Sequence, residues 1–276
     1  MPNYGKVFGY AKSLAEIAKI GEVSGWDGFF IFDHILADKP TKYPMLDPWV
    51  GLSAVATNTE RIRIGTTVTP IPRRRPWKLA RETVSLDQLS EGRLVLSVGL
   101  GFPPELEFGA FGEDTKDVIR AEKLDEGLDI LFGLWTGKQF SYKGKHYEID
   151  DVKFLPKPFQ TPRITVWGAG FWPHKNPFIR AAKLDGIFPL STRAYGTLKS
   201  EDYEKIRAFI FKYRKLNTPY DMVKLERMSG KDPIKFKTEI EEYEAVGITW
   251  LMQYLGAASK FDQVREKIEK GPPIKK

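Results

Sequence analysis

The chain has 276 residues, 42% hydrophobic and 13% aromatic, enough for a large core and close to the roughly 250 residues of one eight-fold barrel. No apolar run reaches the ~18 residues that cross a bilayer, the opening Met1–Lys6 lacks the pattern of a secretory leader, and cysteine is absent, which excludes disulfides and thiolate chemistry and fits a cytoplasmic protein. The net charge of +7 is mixed with acids along most of the chain and comes with no basic helix or recognised module, so nucleic-acid and membrane partners are not expected and a small-molecule substrate is.

In chain order, the apolar run Lys6–Tyr10 predicts a first strand, and Ser13 with Glu16 predicts a capped helix from Leu14 to Val23. Trp26 to Phe32 reads as a second strand buried on both faces, and its large apolar residues end abruptly in Asp33 and His34. After a polar loop, Asp47-Pro48 places an N-cap and a first-turn proline ahead of a helix through Ala56. The β-branched stretch Arg61–Thr69 is a third strand bounded by Pro70, followed by a helix from Trp77 to Leu89. Leu94–Val98 is a fourth strand opening into Gly99-Leu100-Gly101.

Leu124, Leu128, Leu131 and Trp135 recur at helical spacing within Arg120–Trp135. Two alternating runs around Lys143-Gly144, within Lys138–Ile149, then predict a β-hairpin carrying His146 on the surface. Ile164–Trp167 is a fifth strand ending in Gly168-Ala169-Gly170, with a helix near Phe178–Lys183 after it. The remaining units are strands at Gly186–Pro189, Met222–Glu226 and Thr249–Gln253. Helices are predicted from Ser200 to Leu216, from Asp232-Pro233 to Val246, and from Phe261 to Lys270. Strands alternating with helices at short spacing imply parallel strands joined by crossovers. The expectation is an α/β fold: one domain over residues 1–276, a (β/α)8 TIM barrel with a small inserted β-hairpin.

In such a barrel the strand C-termini converge on the active site. Asp33 and His34 would then face the mouth; alternatively Asp33 caps a turn and His34 is a satisfied surface imidazole. Glycine after a strand lets backbone N–H groups approach a ligand and form an anion nest, so Gly168-Ala169-Gly170 ahead of a helix suits a phosphate, although barrel loops also need glycine for tight turns. Arg73-Arg74-Arg75 is either a reach toward an anionic ligand or a solvated loop. His34, His146 and His174 lie on separate segments with no metal-binding spacing, and no Gly-x-Ser-x-Gly elbow is present. A pair of glycosidase carboxylates, Asp33 with Glu226, has nothing to specify it.

Gly25–His34, Thr59–Pro70 and Leu86–Gly101 together resemble the luciferase-like monooxygenase family, which includes flavin- and deazaflavin-dependent oxidoreductases. Arg120–Gly137, Pro156–Gly170, Ala181–Pro189 and Gly271-Pro272-Pro273 follow the same pattern. The resemblance implies a barrel that binds reduced FMN at its C-terminal mouth to act on a small organic substrate. Its alternative is coenzyme F420 with hydride transfer, and a further one is a flavin-binding barrel without turnover. It implies cofactor contacts at Thr66, Thr67 and Val68, with a cis peptide at Thr67-Val68, and at Gly99, Leu100, Gly101, Gly168, Ala169 and Gly170. His34 is the implied catalytic group, with Asp33 orienting it, and no metal is implied. Members commonly pair as homodimers through barrel helices. Two departures stand out: Phe102 occupies the place where some deazaflavin enzymes carry a glutamate proton donor, and Ile35–Asp38 lacks their tryptophan.

Overall fold

Runs of β-branched and aromatic residues covered on both faces favour parallel strands over surface hairpins. In the computed structural model, which describes residues 1–39, 42–192, 198–227 and 233–272, seven such runs build one sheet. They are β1 (Gly28–Ile31), β2 (Arg63–Pro70), β3 (Leu94–Gly99), β6 (Thr165–Trp172), β7 (Gly186–Ser191), β8 (Asp221–Arg227) and β9 (Trp250–Tyr254), in the order β1-β2-β3-β6-β7-β8-β9. Every ladder in it is parallel. Helices α1 (Ala11–Val23), α2 (Pro48–Ala56), α3 (Pro76–Leu89), α5 (Asp117–Trp135), α6 (Asn176–Ala181), α7 (Ser200–Tyr213), α8 (Pro233–Ala245) and α9 (Phe261–Glu269) alternate with the strands, and a single short turn, α4, spans Pro104–Glu107.

The sheet curls. Phe30, Val95, Trp167, Phe188, Val223 and Met252, one from each of six strands, form a single buried cluster on its concave side. Phe30 stacks on Trp167 at 5.4 Å and meets Trp250 edge-on at 5.9 Å, so the two edge strands β1 and β9 share one aromatic contact. Burying each such ring stabilises the fold by roughly 1.5–3 kcal/mol. Close approach dictates Gly65 on the neighbouring strand, where a Cβ would lie 2.1 Å from the Val95 carbonyl oxygen. The larger core fills the space between the convex face and the helices, with Ile17, Leu52, Ile64, Leu96, Leu131 and Val166 wholly buried.

Among the described residues no strand lies between β1 and β9. At that seam Met1 donates from its amino nitrogen to Phe30 O (2.5 Å) and accepts from Phe32 N–H (2.8 Å). A cleft of about 660 Å³ follows the seam, bordered by Phe30, Phe32, Thr67, Leu225, Trp250 and Tyr254.

Three local expectations are corrected. Lys6–Tyr10 forms turns and bends in place of a first strand: Gly5 N–H donates to Pro44 O and Gly9 N–H to Gly5 O, and the curled backbone buries Val7 and Phe8 without a ladder. Ser13 does not cap α1, which starts at Ala11 behind Tyr10, three residues before the expected start at Leu14. The helix expected from Ser200 to Leu216 ends at Tyr213, with Arg214 as its C-cap. Asp47 does cap α2, its carboxylate accepting from Trp49 N–H at 2.9 Å and Val50 N–H at 3.0 Å. The expected cap Asp232 and the end of Gly271-Pro272-Pro273 lie outside the described residues.

Strands β4 (Gln139–Lys143) and β5 (Glu148–Lys153) form a separate two-stranded antiparallel ladder. Glu126 of α5 accepts the N–H groups of Lys145, His146 and Tyr147 in the connection between them. His146 pairs with Glu122 at 2.8 Å, which ties it to α5 and away from the strand ends. Among the described residues no helix is long and apolar enough to cross a membrane.

Candidate active site

The first side chain past β1 and Phe32 is Asp33, 2% exposed. Its carboxylate accepts from Arg73 at 2.6 Å and from Arg74 through both oxygens at 2.8 Å. Arg73 ends the 3-10 turn Ile71–Arg73 that follows β2, and Arg74 is its C-cap. Both are half-buried ion-pair partners and belong neither to a solvated loop nor to an open anion site; Arg75 alone of the three is exposed. Asp33 is therefore engaged by guanidinium groups and does not orient the imidazole of His34.

That part falls to Glu107, at the end of α4. Its Oε1 lies 2.8 Å from His34 Nδ1, its other oxygen contacts Arg73, and it is 1% exposed. A carboxylate only accepts, so Nδ1 carries the proton and donates. In the neutral ring Nε2 is then the lone-pair nitrogen, and among the described residues nothing hydrogen-bonds it. Asn3 fixes the backbone beneath, donating from Nδ2 to His34 O at 2.9 Å. Tyr4 and Phe32 meet the imidazole edge-on at 6.4 and 5.7 Å. Burial, helped by the Arg73 charge, lowers the His34 pKa from its ordinary value of 6.5, and Asp33 opposes the shift. The arrangement is a neutral imidazole held at one nitrogen and available as a base at the other.

The expected cofactor positions group unequally. Thr66 is fully buried and hydrogen-bonded by Thr69 Oγ1 at 2.8 Å. Thr67 borders the seam cleft, and the Thr67–Val68 peptide is cis. Val68, Ala169, Leu190 and Leu225 cap the concave aromatic cluster, giving it an apolar upper surface at the strand C-termini. Gly99 is buried against this surface: a Cβ there would meet Val68 Cγ1 at 3.1 Å and Ala169 Cβ at 3.7 Å. A flat, largely apolar ring system suits such an apolar surface, where Gly99 lets Val68 and Ala169 pack closely beneath it. Gly101 (φ +89°) turns the chain where a Cβ would strike Phe108, and Arg120 clamps the turn by donating to Leu100 O (3.0 Å) and Gly101 O (2.7 Å).

Gly168 and Gly170 sit inside β6 instead of in a loop after it. A Cβ on Gly168 would lie 2.9 Å from Ala181 and one on Gly170 2.2 Å from Pro177, so close packing of α6 accounts for both glycines. Only Ala169 of the three packs against the concave cluster.

Glu107 was missed because sequence spacing from the β3 glycines leaves it out of register. The signal available was Pro103-Pro104, which starts a short helical turn and swings Glu107 back toward β1. No group of three or more potential metal ligands occurs among the described residues.

Residues 2–214 match the family profile described as luciferase-like monooxygenase. An F420-dependent glucose-6-phosphate dehydrogenase of Nakamurella multipartita is 31% identical over 178 residues, covering 59% of this chain and 50% of that protein. The chain thus spans about half the length of the curated relative it matches. Among solved structures, an F420-dependent secondary alcohol dehydrogenase in complex with an F420–acetone adduct superposes with a TM-score of 0.76 at 17% identity, covering 95% of this chain and 93% of that one. The oxygenating constituent of 3,6-diketocamphane monooxygenase of Pseudomonas putida, in complex with FMN, gives 0.63 at 15% identity, covering 84% and 66%. At these identities the structures show a shared fold.

Proposed function

The chain belongs to the luciferase-like monooxygenase family, and from that premise we propose that it is an oxidoreductase using coenzyme F420 to exchange hydride with a small organic alcohol or carbonyl compound. The observation that carries this reading is the 2.8 Å contact of His34 Nδ1 with buried Glu107. It leaves a neutral imidazole whose second nitrogen can take the hydroxyl proton of an alcohol as its carbon loses hydride. The F420-dependent relative supports the choice of cofactor.

When bound, the deazaflavin supplies the two-electron hydride acceptor. Val68, Ala169 and Gly99 would hold its ring, and the clamped Leu100–Gly101 turn would border it. Glu107 stabilises the imidazolium that forms when His34 accepts a proton, and Arg73 balances the carboxylate. In the reverse direction the imidazolium returns that proton to the nascent alkoxide. We further read the curled sheet as a (β/α)8 barrel whose remaining strand would run along the β1–β9 seam, where Met1 already makes a parallel pair of hydrogen bonds.

One observation favours a second reading. Phe102 follows the β3 glycines where a deazaflavin enzyme can carry a glutamate donor, and an apolar ring there suits reduced FMN and oxygen chemistry better. Parallel fluorescence titrations with F420 and FMN, followed by turnover assays of His34→Ala, test the two readings.

A further inference from the structure

The segment between β3 and α5 carries two chemically opposite groups. Glu107 is buried against His34, while Phe102, five residues earlier, is 63% exposed. Looseness does not explain that exposure. The preceding two carbonyls are clamped by Arg120, itself 3% exposed, and Phe108 lies under the Arg120 guanidinium at 5.1 Å.

The ring of Phe102 meets Phe171, at the C-terminal end of β6, edge-to-face at 5.4 Å and 65°. Phe171 follows by two residues the Ala169 of the apolar upper surface. Two large aromatic rings therefore stand together above the strand ends. The next residue, Trp172, is committed elsewhere, packed on Phe178 and Phe209 with Lys175 Nζ 3.9 Å from its ring centroid.

Arg73 and Arg74, which reach the carboxylates beside His34, are held in ion pairs and do not stand open to an anionic ligand. Arg73 is paired with Asp33 and Glu107, and Arg74 with Asp33 and Glu82. The exposed ring of Phe102 packed on half-buried Phe171, together with the ion-paired state of Arg73 and Arg74, matches an apolar, uncharged guest.

We propose that Phe102 and Phe171 form the wall that receives the organic substrate, and that this substrate is an uncharged hydrophobic alcohol or ketone, not a sugar phosphate. The inference rests on the oxidoreductase reading above and deepens it by naming the substrate class.

The test is saturation-transfer NMR on the purified full chain with two probes, benzyl alcohol and glucose 6-phosphate, for the wild type, Phe102→Ala, Phe171→Ala and Phe102→Leu. Phe102 is exposed and Phe171 half-buried, so the truncations leave the core intact. Benzyl alcohol is expected to bind the wild type, to weaken at least fivefold in each alanine variant, and to recover largely in Phe102→Leu. Glucose 6-phosphate is expected not to compete. Tighter binding of glucose 6-phosphate, absence of benzyl alcohol binding, or indifference to both alanine substitutions would overturn the proposal. A parallel F420 titration separates the two ideas: unchanged F420 affinity in the alanine variants is expected, and a loss confined to F420 assigns the rings to the cofactor and overturns the substrate wall. If neither F420 nor FMN binds the wild type, the oxidoreductase reading fails, whatever benzyl alcohol does.

Discussion

Glu107 Oε1 and His34 Nδ1 lie 2.8 Å apart across 73 residues of chain, and that contact decides which imidazole nitrogen carries the proton. The carboxylate reaches the ring through a four-residue helical turn, while the carboxylate adjacent to His34 in sequence is held by arginines.

Replacing His34 by alanine is expected to leave folding and cofactor affinity within about twofold and to lower turnover by roughly 10²–10⁴, the range of a general base. Glu107→Gln keeps the size of the side chain and removes its charge, so the His34 imidazolium loses stabilisation. Comparison of pH–rate profiles for the wild type and Glu107→Gln should show the acidic limb, where His34 is protonated, displaced to lower pH in the variant; superimposable profiles would reduce Glu107 to a packing role.

His34 should titrate below its ordinary 6.5, because burial and Arg73 disfavour the imidazolium. As pH falls through 6.5 the unfolded chain takes up this proton before the folded one, so stability contributed by His34 is intact above 6.5 and declines between 6.5 and the lower folded value. Histidine NMR titration of the wild type against His34→Gln reads the midpoint directly. A midpoint above 6.5 would contradict the burial and charge arrangement.

Asp33→Asn removes the carboxylate shared by Arg73 and Arg74, leaving Glu107 and Glu82 as their acidic partners, and breaking a buried ion pair of this kind costs up to roughly 3–5 kcal/mol. Urea unfolding should show a loss of that order with little change in slope. A variant as stable as the wild type would mean that Glu107 and Glu82 alone balance Arg73 and Arg74.

Gly99→Val would bring new methyl groups against Val68 and Ala169, where a Cβ alone already approaches to 3.1 and 3.7 Å. Cofactor affinity should fall at least tenfold while the melting temperature changes by only a few degrees, about 4 °C or less for ~1 kcal/mol in a chain of this size. Unchanged affinity would place the ring elsewhere.

Much of this was legible before any coordinates. The apolar run ending in Asp33-His34, the capped start of α2, the β-branched β2 and the leucine spacing of α5 each carry their own local signal, and each formed where expected. Lys6–Tyr10 failed because hydrophobicity alone does not distinguish a strand from a turn folded inward; Gly5 and Gly9, bonded into that turn, decide it. Gly168 and Gly170 look the same in sequence whether they approach a phosphate or a helix, and the nearness of Ala181 and Pro177 shows their approach to the helix. The pairing of Arg73 and Arg74 with Asp33, and of Glu107 with His34, joins residues more than thirty positions apart. No local pattern encodes contacts of that range.

The measurement that bears most directly on the proposed function is a fluorescence titration of the purified protein with coenzyme F420 and, in parallel, with FMN. The F420-dependent reading predicts saturable binding of F420 at least tenfold tighter than FMN, weakened by Gly99→Val and preserved in His34→Ala. Tighter binding of FMN than of F420, or binding of neither, would contradict it.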